Sequence, residues 1–198
     1  MMTAGSNHID EIACLLMEGF SGKFQSLKMP VHEQEIAFLC LAEHIVNYHS
    51  SNLVIKRDEI IQGLLFIKPK KWIGTELTKQ LLKKLRFTAF LKTIAFFFFL
   101  DHRCNNNEMH IDILVVAASS RGKGIGAQLI QTVKSQVDAA QQLTLFVSAD
   151  NNAARRLYEK QDFLVSRKGK SKTGGRFHGI KEWHFMEWRG DVHREKKI

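Results

Sequence analysis

Two prolines and three cysteines are few for 198 residues, and each scarcity excludes something. With no proline-rich stretch, no stiff linker divides the chain. It therefore reads as a single domain over residues 1–198, long enough to bury about 70% of its unfolded surface. Cys14, Cys40 and Cys104 are too scattered for a disulfide frame. They read as reduced thiols, which places the protein in the cytoplasm. The N-terminal stretch MMTAGSNHIDEI lacks the basic-then-apolar order of a signal peptide. No run approaches the roughly 20 apolar residues of a membrane span. Repeats and low-complexity tracts are also missing. Among nine histidines and three cysteines no pair stands at metal-ligand spacing with further ligands in support, so no metal is expected.

Acidic charge is short as well: 20 Asp and Glu stand against 29 Lys and Arg, a net charge of +9. That balance fits an anionic partner, whether a phosphate-bearing cofactor, an anionic lipid surface or nucleic acid. Neither an aromatic RNA-binding signature nor zinc-finger spacing accompanies it, so no specific nucleic acid is expected.

What is present is an alternation of helical and strand patterns. Ile9, Ile12, Ala13, Leu16 and Phe20 recur at helical spacing over residues 8–20, with Ser6 or Asn7 as the cap. A second helix fits residues 32–48. LVIKRDEIIQGLLFIK (residues 53–68) reads as a hairpin turning at KRDE. Residues 75–100 are helical again, and residues 108–116 form a strand. A helix to about Val137 follows, then a strand over 143–149, a short helix in NAARRLYEKQ, and strands over 163–167 and 180–188. Between the last two lies the basic KGKSKTGGRFHG. This order predicts an α/β (α+β) fold with a mixed sheet.

SSRGKGIGAQLI (residues 119–130) follows the apolar strand directly. Glycine costs a helix interior roughly 1 kcal/mol relative to alanine, yet Gly122, Gly124 and Gly126 crowd this helix start beside Arg121 and Lys123. Bare backbone at a helix N-terminus exposes unpaired N–H groups at the positive end of the helix dipole, a site for phosphate or pyrophosphate. A P-loop does not fit, because Leu164 stands where the glycine six residues before Lys170 belongs. A Rossmann fingerprint does not fit either, because Gly122, Gly124 and Gly126 have the wrong last interval.

Arg121-Gly122-Lys123-Gly124-Ile125-Gly126 does match R-x-x-G-x-G after an apolar strand. The strand LTLFVS and NNAARRLYEKQDF (residues 151–163) follow, with Asn151, Ala154 three residues on, and LYEK. Together these resemble the coenzyme A-binding and second signatures of the GNAT superfamily of N-acetyltransferases, over residues 108–163. The resemblance implies a mostly antiparallel mixed sheet flanked by helices. It also implies acetyl transfer from acetyl-CoA directly to an amine acceptor, a small molecule or a protein. Two departures stand out. Asp162 replaces the family's glycine, a position that needs a residue tolerant of left-handed backbone, and the family's first strand is short or missing.

By the same resemblance the cofactor-binding residues are Val115, Val116, Arg121, Gly122, Lys123, Gly124, Ile125, Gly126, Asn151 and Ala154. Strand 108–116 splays from LTLFVS so that pantetheine lies along it. Val115 and Val116 offer main-chain bonds and an oxyanion amide, where the plain alternative is core packing. Asn151 bonds the pantetheine arm or only caps its helix. Tyr158 is the proton donor to the departing thiolate, or a half-buried packing residue. An alkylamine of pKa about 10.4 also needs a base. The family often places one on this strand, where alternation puts His110, Asp112 and Leu114 on one face, opposite Met109, Ile111 and Ile113. Asp112 and His110 are the candidates, against a salt-linked surface pair. Cys104 reads as an ordinary loop thiol.

Where the family has a short link between its third and fourth strands, this chain inserts residues 69–107. Leu85, Phe87, Phe90, Leu91, Ile94, Phe97 and Phe98 recur at helical spacing, and Phe96 and Phe99 widen the apolar arc. Such an arc covers the sheet, the second subunit of a homodimer, or a bound acceptor. The expectation is a helix over the sheet whose end roofs the acceptor near Asp112. The clusters KPKKW, KKLRF and AFFFFL carry a rival reading: a membrane- or nucleic-acid-surface binding module, with peripheral membrane contact. A non-catalytic CoA-binding sensor is a further alternative, which Asn151 and Tyr158 argue against.

Overall fold

The computed structural model describes residues 8–48, 52–57, 60–69, 75–100, 102–138, 141–171 and 180–190. Ser6, Asn7, Asp58, Glu59 and residues 172–179 of the basic stretch lie outside it. Helix α1 spans Ile9–Gln25 and α2 spans Val31–Asn47. α1 runs past Phe20 because Phe24 is drawn into the core, its ring 4.4 Å from Phe38 and 4.7 Å from Phe96. Pro30, with its φ fixed near the value helices use, stands at the N-cap of α2.

The strands are β1 (Asn52–Arg57), β2 (Ile60–Ile67), β3 (Glu108–Val116), β4 (Gln142–Ser148), β5 (Leu164–Lys170) and β6 (Glu182–Arg189). They form one sheet in the order β1-β2-β3-β4-β6-β5. Every neighbouring pair is antiparallel except β3 with β4. Helices α5 (Ile125–Lys134) and α6 (Asn152–Lys160) complete the glycine-loop half. The result is the expected mixed, mostly antiparallel sheet flanked by helices. Among the described residues no strand precedes α1.

The expected helical segment of residues 75–100 consists of two helices, α3 (Thr75–Lys84) and α4 (Phe87–Leu100). No proline or glycine breaks them. Leu77, Leu81, Leu85, Ala89 and Phe97 are all buried, at multiples of four residues. At 100° per residue that row drifts about 200° from first to last. A single straight helix would carry Phe97 to the face opposite Leu77, so the chain bends at Leu85 and Arg86 to keep the row inward.

Burial is divided between the two faces of the sheet. Ile113 and Val115 pack with α1, α2 and the inner residues of α3 and α4. Met109, Ile111, Leu114 and Val116 pack with α5 and α6. Strict alternation put Ile113 with Met109 and Ile111, and Leu114 with His110. The reversal has a local cause. Phe66 pairs with Ile113 while the next residue, Ile67, pairs with Ile111. Asp112 is therefore the extra residue of a β-bulge, and parity flips beyond it.

Candidate active site at the parting of two strands

β3 and β4 pair from Glu108 with Gln142 as far as Ile111 with Leu145, and then part. Residues 112–116 continue alongside β2, and residues 146–148 alongside β6. Parallel strands that separate at their C-terminal ends leave a crevice where fixed backbone groups face a ligand.

At its mouth the chain passes through a 3-10 turn, Ala118–Ser120, into the glycine loop. The loop is anchored. Ala117 donates its N–H to the Gln62 carbonyl at 3.0 Å, the Ser120 hydroxyl bonds the Gln62 side chain, and Ala118 N–H meets Glu18 Oε1 at 2.6 Å. Gly122 (φ +77°) and Gly124 (φ +80°) are left-handed, and a Cβ on either would meet nothing within 4 Å. Backbone of that hand favours glycine, and the space above it is open. Gly124 caps α5 without a side-chain bond, so the first-turn amides, from Ile125 onward, face outward. Gly126 differs: a Cβ there would come 2.9 Å from Leu157 Cδ2, so its bareness lets α5 approach α6. Arg121 is tied back, its Nε donating to the Val116 carbonyl at 3.2 Å and its Nη2 lying 3.8 Å from Glu18 Oε1. Lys123 is exposed, as an anion-binding cation at the loop requires.

Across the crevice, Asn151 caps α6 by accepting the Ala154 N–H at 3.1 Å. That bond uses only the acceptor end of the amide. Ala154 and Tyr158 pack into the α5–α6 core, with the Tyr158 ring 5.9 Å from Phe163. Burial holds the Tyr158 hydroxyl protonated well above the usual phenol range, the state a proton donor needs. Asp162 ends this helix at φ +58°, the left-handed cap that its replacement of glycine demanded.

The other face of the sheet, where β3 and β4 are still paired, carries a buried polar network. Glu108 Oε1 accepts His102 Nε2–H at 2.7 Å and the Thr144 hydroxyl at 2.6 Å, and Oε2 accepts the Asn105 N–H at 2.9 Å. His110 Nδ1 lies 2.7 Å from Thr144 Oγ1 and 3.7 Å from Glu108 Oε1, so it reaches the carboxylate through the hydroxyl. Thr144 spends its only proton on Glu108, which makes His110 Nδ1 the donor and leaves Nε2 as a lone pair. Burial alone would raise the Glu108 carboxyl. The bonds from His102, the His110–Thr144 pair and Asn105 outweigh it and hold the group well below the carboxylate range. Burial, with His102 adding to it, pushes His110 down to about 4.

Phe146 and Phe185 close on these rings, 5.5 and 6.2 Å from His110. Trp183 lies edge-on to Phe146 at 5.1 Å, and Arg167 sits over Phe185 at 4.2 Å. Asp112 stands one residue past the last β3–β4 pair, partly exposed at the bulge. Phe98, expected as part of a roof, is 75% exposed, and the Phe99 side chain lies outside the described residues.

His102, Glu108 and His110 each bring a ligand atom within 4.8 Å of the others, two imidazoles and a carboxylate of the kind a divalent metal accepts. His102 Nε2 is already bonded to Glu108 Oε1, and His110 Nδ1 reaches the same oxygen through Thr144. A cation would have to displace the protons that complete this chain of bonds, so the donor set fits a proton network better than a metal.

A family model described as an acetyltransferase (GNAT) domain matches residues 98–181. Over those residues the match supports the GNAT superfamily. Solved structures share the fold at low identity. An N-acetyltransferase from Staphylococcus aureus is 15% identical with a TM-score of 0.69, covering 94% of this chain and 98% of its own. A protein named as histone acetyltransferase HPA2 and related acetyltransferase, from Corynebacterium glutamicum, is 17% identical with a TM-score of 0.61, covering 95% and 94%. A GNAT-family acetyltransferase from Bacillus cereus is 12% identical at 0.57, covering 95% and 94%. No curated protein matches the chain.

Within this fold Ala154 and Tyr158 pack with α5 on one face of the sheet, with the glycine loop and Asn151 at the starts of α5 and α6, and His110 lies on the other face. Glu108, His102, Thr144, Phe146 and Phe185 were not anticipated. Glu108 carried a readable signal, since it shares strand parity with His110. The others needed the β3–β4 register and the β4–β6 pairing.

Proposed function

We propose that this protein is an acetyl-CoA-dependent N-acetyltransferase that acetylates a primary amine by direct attack. The observation that carries the reading is the parting of β3 and β4 after Ile111 with the open, anchored glycine loop at its mouth. When bound, acetyl-CoA supplies an activated thioester carbonyl. The first-turn amides of α5 and the exposed Lys123 hold its pyrophosphate, and Gly122 and Gly124 leave the space for it. The unpaired edge of β3 near Val115 and Val116 lines the crevice for pantetheine, with Asn151 bonding from the far side. Tyr158, kept neutral by burial, gives its proton to the departing thiolate. The incoming amine sheds its proton toward the opposite flank. There the Thr144–Glu108 pair fixes His110 with Nε2 as acceptor, and Asp112 is the second candidate base.

Such a base, neutral at physiological pH, takes a proton as the nitrogen attacks and the N–H becomes acidic. The aromatic rings of Phe146, Phe185 and Trp183 form the acceptor side. Cysteines that form no disulfide among the described residues fit a reducing, cytoplasmic setting.

Release of free CoA thiol across a panel of amines (amino-acid, polyamine and peptide) tests the reading. Turnover with at least one amine is expected. Saturable acetyl-CoA binding without turnover on any amine would make the protein a sensor, and absence of binding would end the proposal.

A further inference from the structure

α4 is apolar on both sides, which a helix at the surface of a protein seldom is. Its inward side is accounted for: Ala89, Thr93, Phe96 and Phe97 are each at most 9% exposed. Its outward side is not. Phe87 is 66%, Leu91 49% and Phe98 75% exposed. At 100° per residue these three fall within an arc of about 40°, so they form one stripe rather than scattered surface hydrophobes. Leu82 of α3 is 53% exposed as well.

The charges around the stripe select its occupant. Across α3 and α4 there are five cations, Lys79, Lys83, Lys84, Arg86 and Lys92, against one carboxylate, Glu76. Lys79 pairs with Glu76 and Lys84 with Glu43, while Lys83 and Arg86 are exposed next to Phe87. A second copy docking by two-fold symmetry would bring the same cationic patch against itself. Nucleic acid would match the charge but leave Leu91 and the phenyl rings undesolvated. An anionic lipid surface satisfies both features, with cations at the headgroups and rings at the acyl boundary. Fourteen residues of helix are about 21 Å long, and no helix among the described residues is long and apolar enough to cross a membrane. The helix would therefore lie in the plane of the interface.

We propose that the α3–α4 pair docks this enzyme onto anionic membrane surfaces, with Phe87, Leu91 and Phe98 inserted and Lys83 and Arg86 at the headgroups. This goes beyond the acetyltransferase reading and stands or falls separately from it.

Co-sedimentation of the full chain with vesicles tests the proposal. Vesicles of phosphatidylserine with phosphatidylcholine should bind at least about tenfold more strongly than phosphatidylcholine alone, and the advantage should shrink as salt is raised. Phe98→Ser and the double change Phe87→Ser with Leu91→Ser should each weaken binding about tenfold or more. Arg86→Glu should weaken it on the anionic vesicles only. A thermal melt of each variant controls for folding. A Phe98→Trp variant, whose emission should shift to the blue on anionic vesicles, reports insertion without removing the stripe. No sedimentation with anionic vesicles overturns the proposal. So does binding undiminished by the serine changes together with an unshifted Phe98→Trp emission. A concentration-dependent dimer that those changes abolish, without vesicle binding, assigns the face to a second copy. Retention of duplex nucleic acid in place of vesicles assigns it to phosphate binding.

Discussion

The two flanks of the crevice are built on different principles. In the proposed reading the α5–α6 flank relies on backbone and one uncharged phenol: left-handed glycines, first-turn amides, the Asn151 cap and the buried Tyr158. The β3–β4–β6 flank relies on side chains in one hydrogen-bonded chain, with an ionised Glu108 whose side chain is 1% exposed and two imidazoles oriented by it. A flank that must hold a constant polyanion can be written into backbone conformation. In that reading, a flank that receives a proton and fits one acceptor needs side chains. The comparison also assigns opposite pH sensitivities to the two sides.

The largest effect expected is on the phenol side. Tyr158→Phe should lower kcat about ten- to a thousand-fold with little change in acetyl-CoA affinity, because the ring still packs against Phe163. Unchanged kcat with a lower melting temperature would make Tyr158 a packing residue and erase the proposed division of labour.

Acid should act on the other side. His110 is pushed from its ordinary 6.5 to about 4, so between these values the unfolded chain holds the extra proton. Stability is then complete above pH about 6.5 and falls as pH drops toward 4, by on the order of 3 kcal/mol. The lowered Glu108 carboxyl adds in the same direction below the usual carboxylate range. Tyr158, raised by burial, has the opposite sign and weakens the fold only as pH rises past the ordinary phenol value. Chemical denaturation across pH, with His110→Gln as comparator, should show the acid limb flatten in the variant. An acid limb equal to wild type would disconnect His110 from it.

Glu108→Gln should cost about 2 kcal/mol, since it replaces a carboxylate that accepts three bonds by an amide that must present a donor. Thr144→Val, removing only the hydroxyl between His110 and Glu108, should cost about 1 kcal/mol while shifting the pH profile of kcat. That second readout separates a positioning hydroxyl from one that merely fills space.

The sequence disclosed these flanks unequally, for a physical reason. The glycine loop, the Asn151 cap and the left-handed Asp162 are local devices, each written in consecutive residues, and they were legible together with the strand and helix order. The Glu108 network joins residues 102, 108, 110 and 144 through a parallel register that no short stretch encodes. The bulge at Asp112 is a one-residue mismatch with β2, invisible without the partner strand, and it alone reversed the faces of Ile113 and Leu114. The division of residues 75–100 into two helices came from the drift of a four-residue repeat, which an apolar count over the segment conceals.

The central claim is that acetyl-CoA binds with its pyrophosphate on the left-handed glycines of the loop. Thermal midpoints of wild type and Gly124→Val, each with and without acetyl-CoA, test it most directly. The variant starts lower, because valine is strained at φ +80°, so each protein is compared with its own ligand-free state. Wild type should rise in a saturable way as linkage requires, and Gly124→Val should show no rise. An equal, saturable rise in both proteins would contradict the account and move the cofactor site away from the loop.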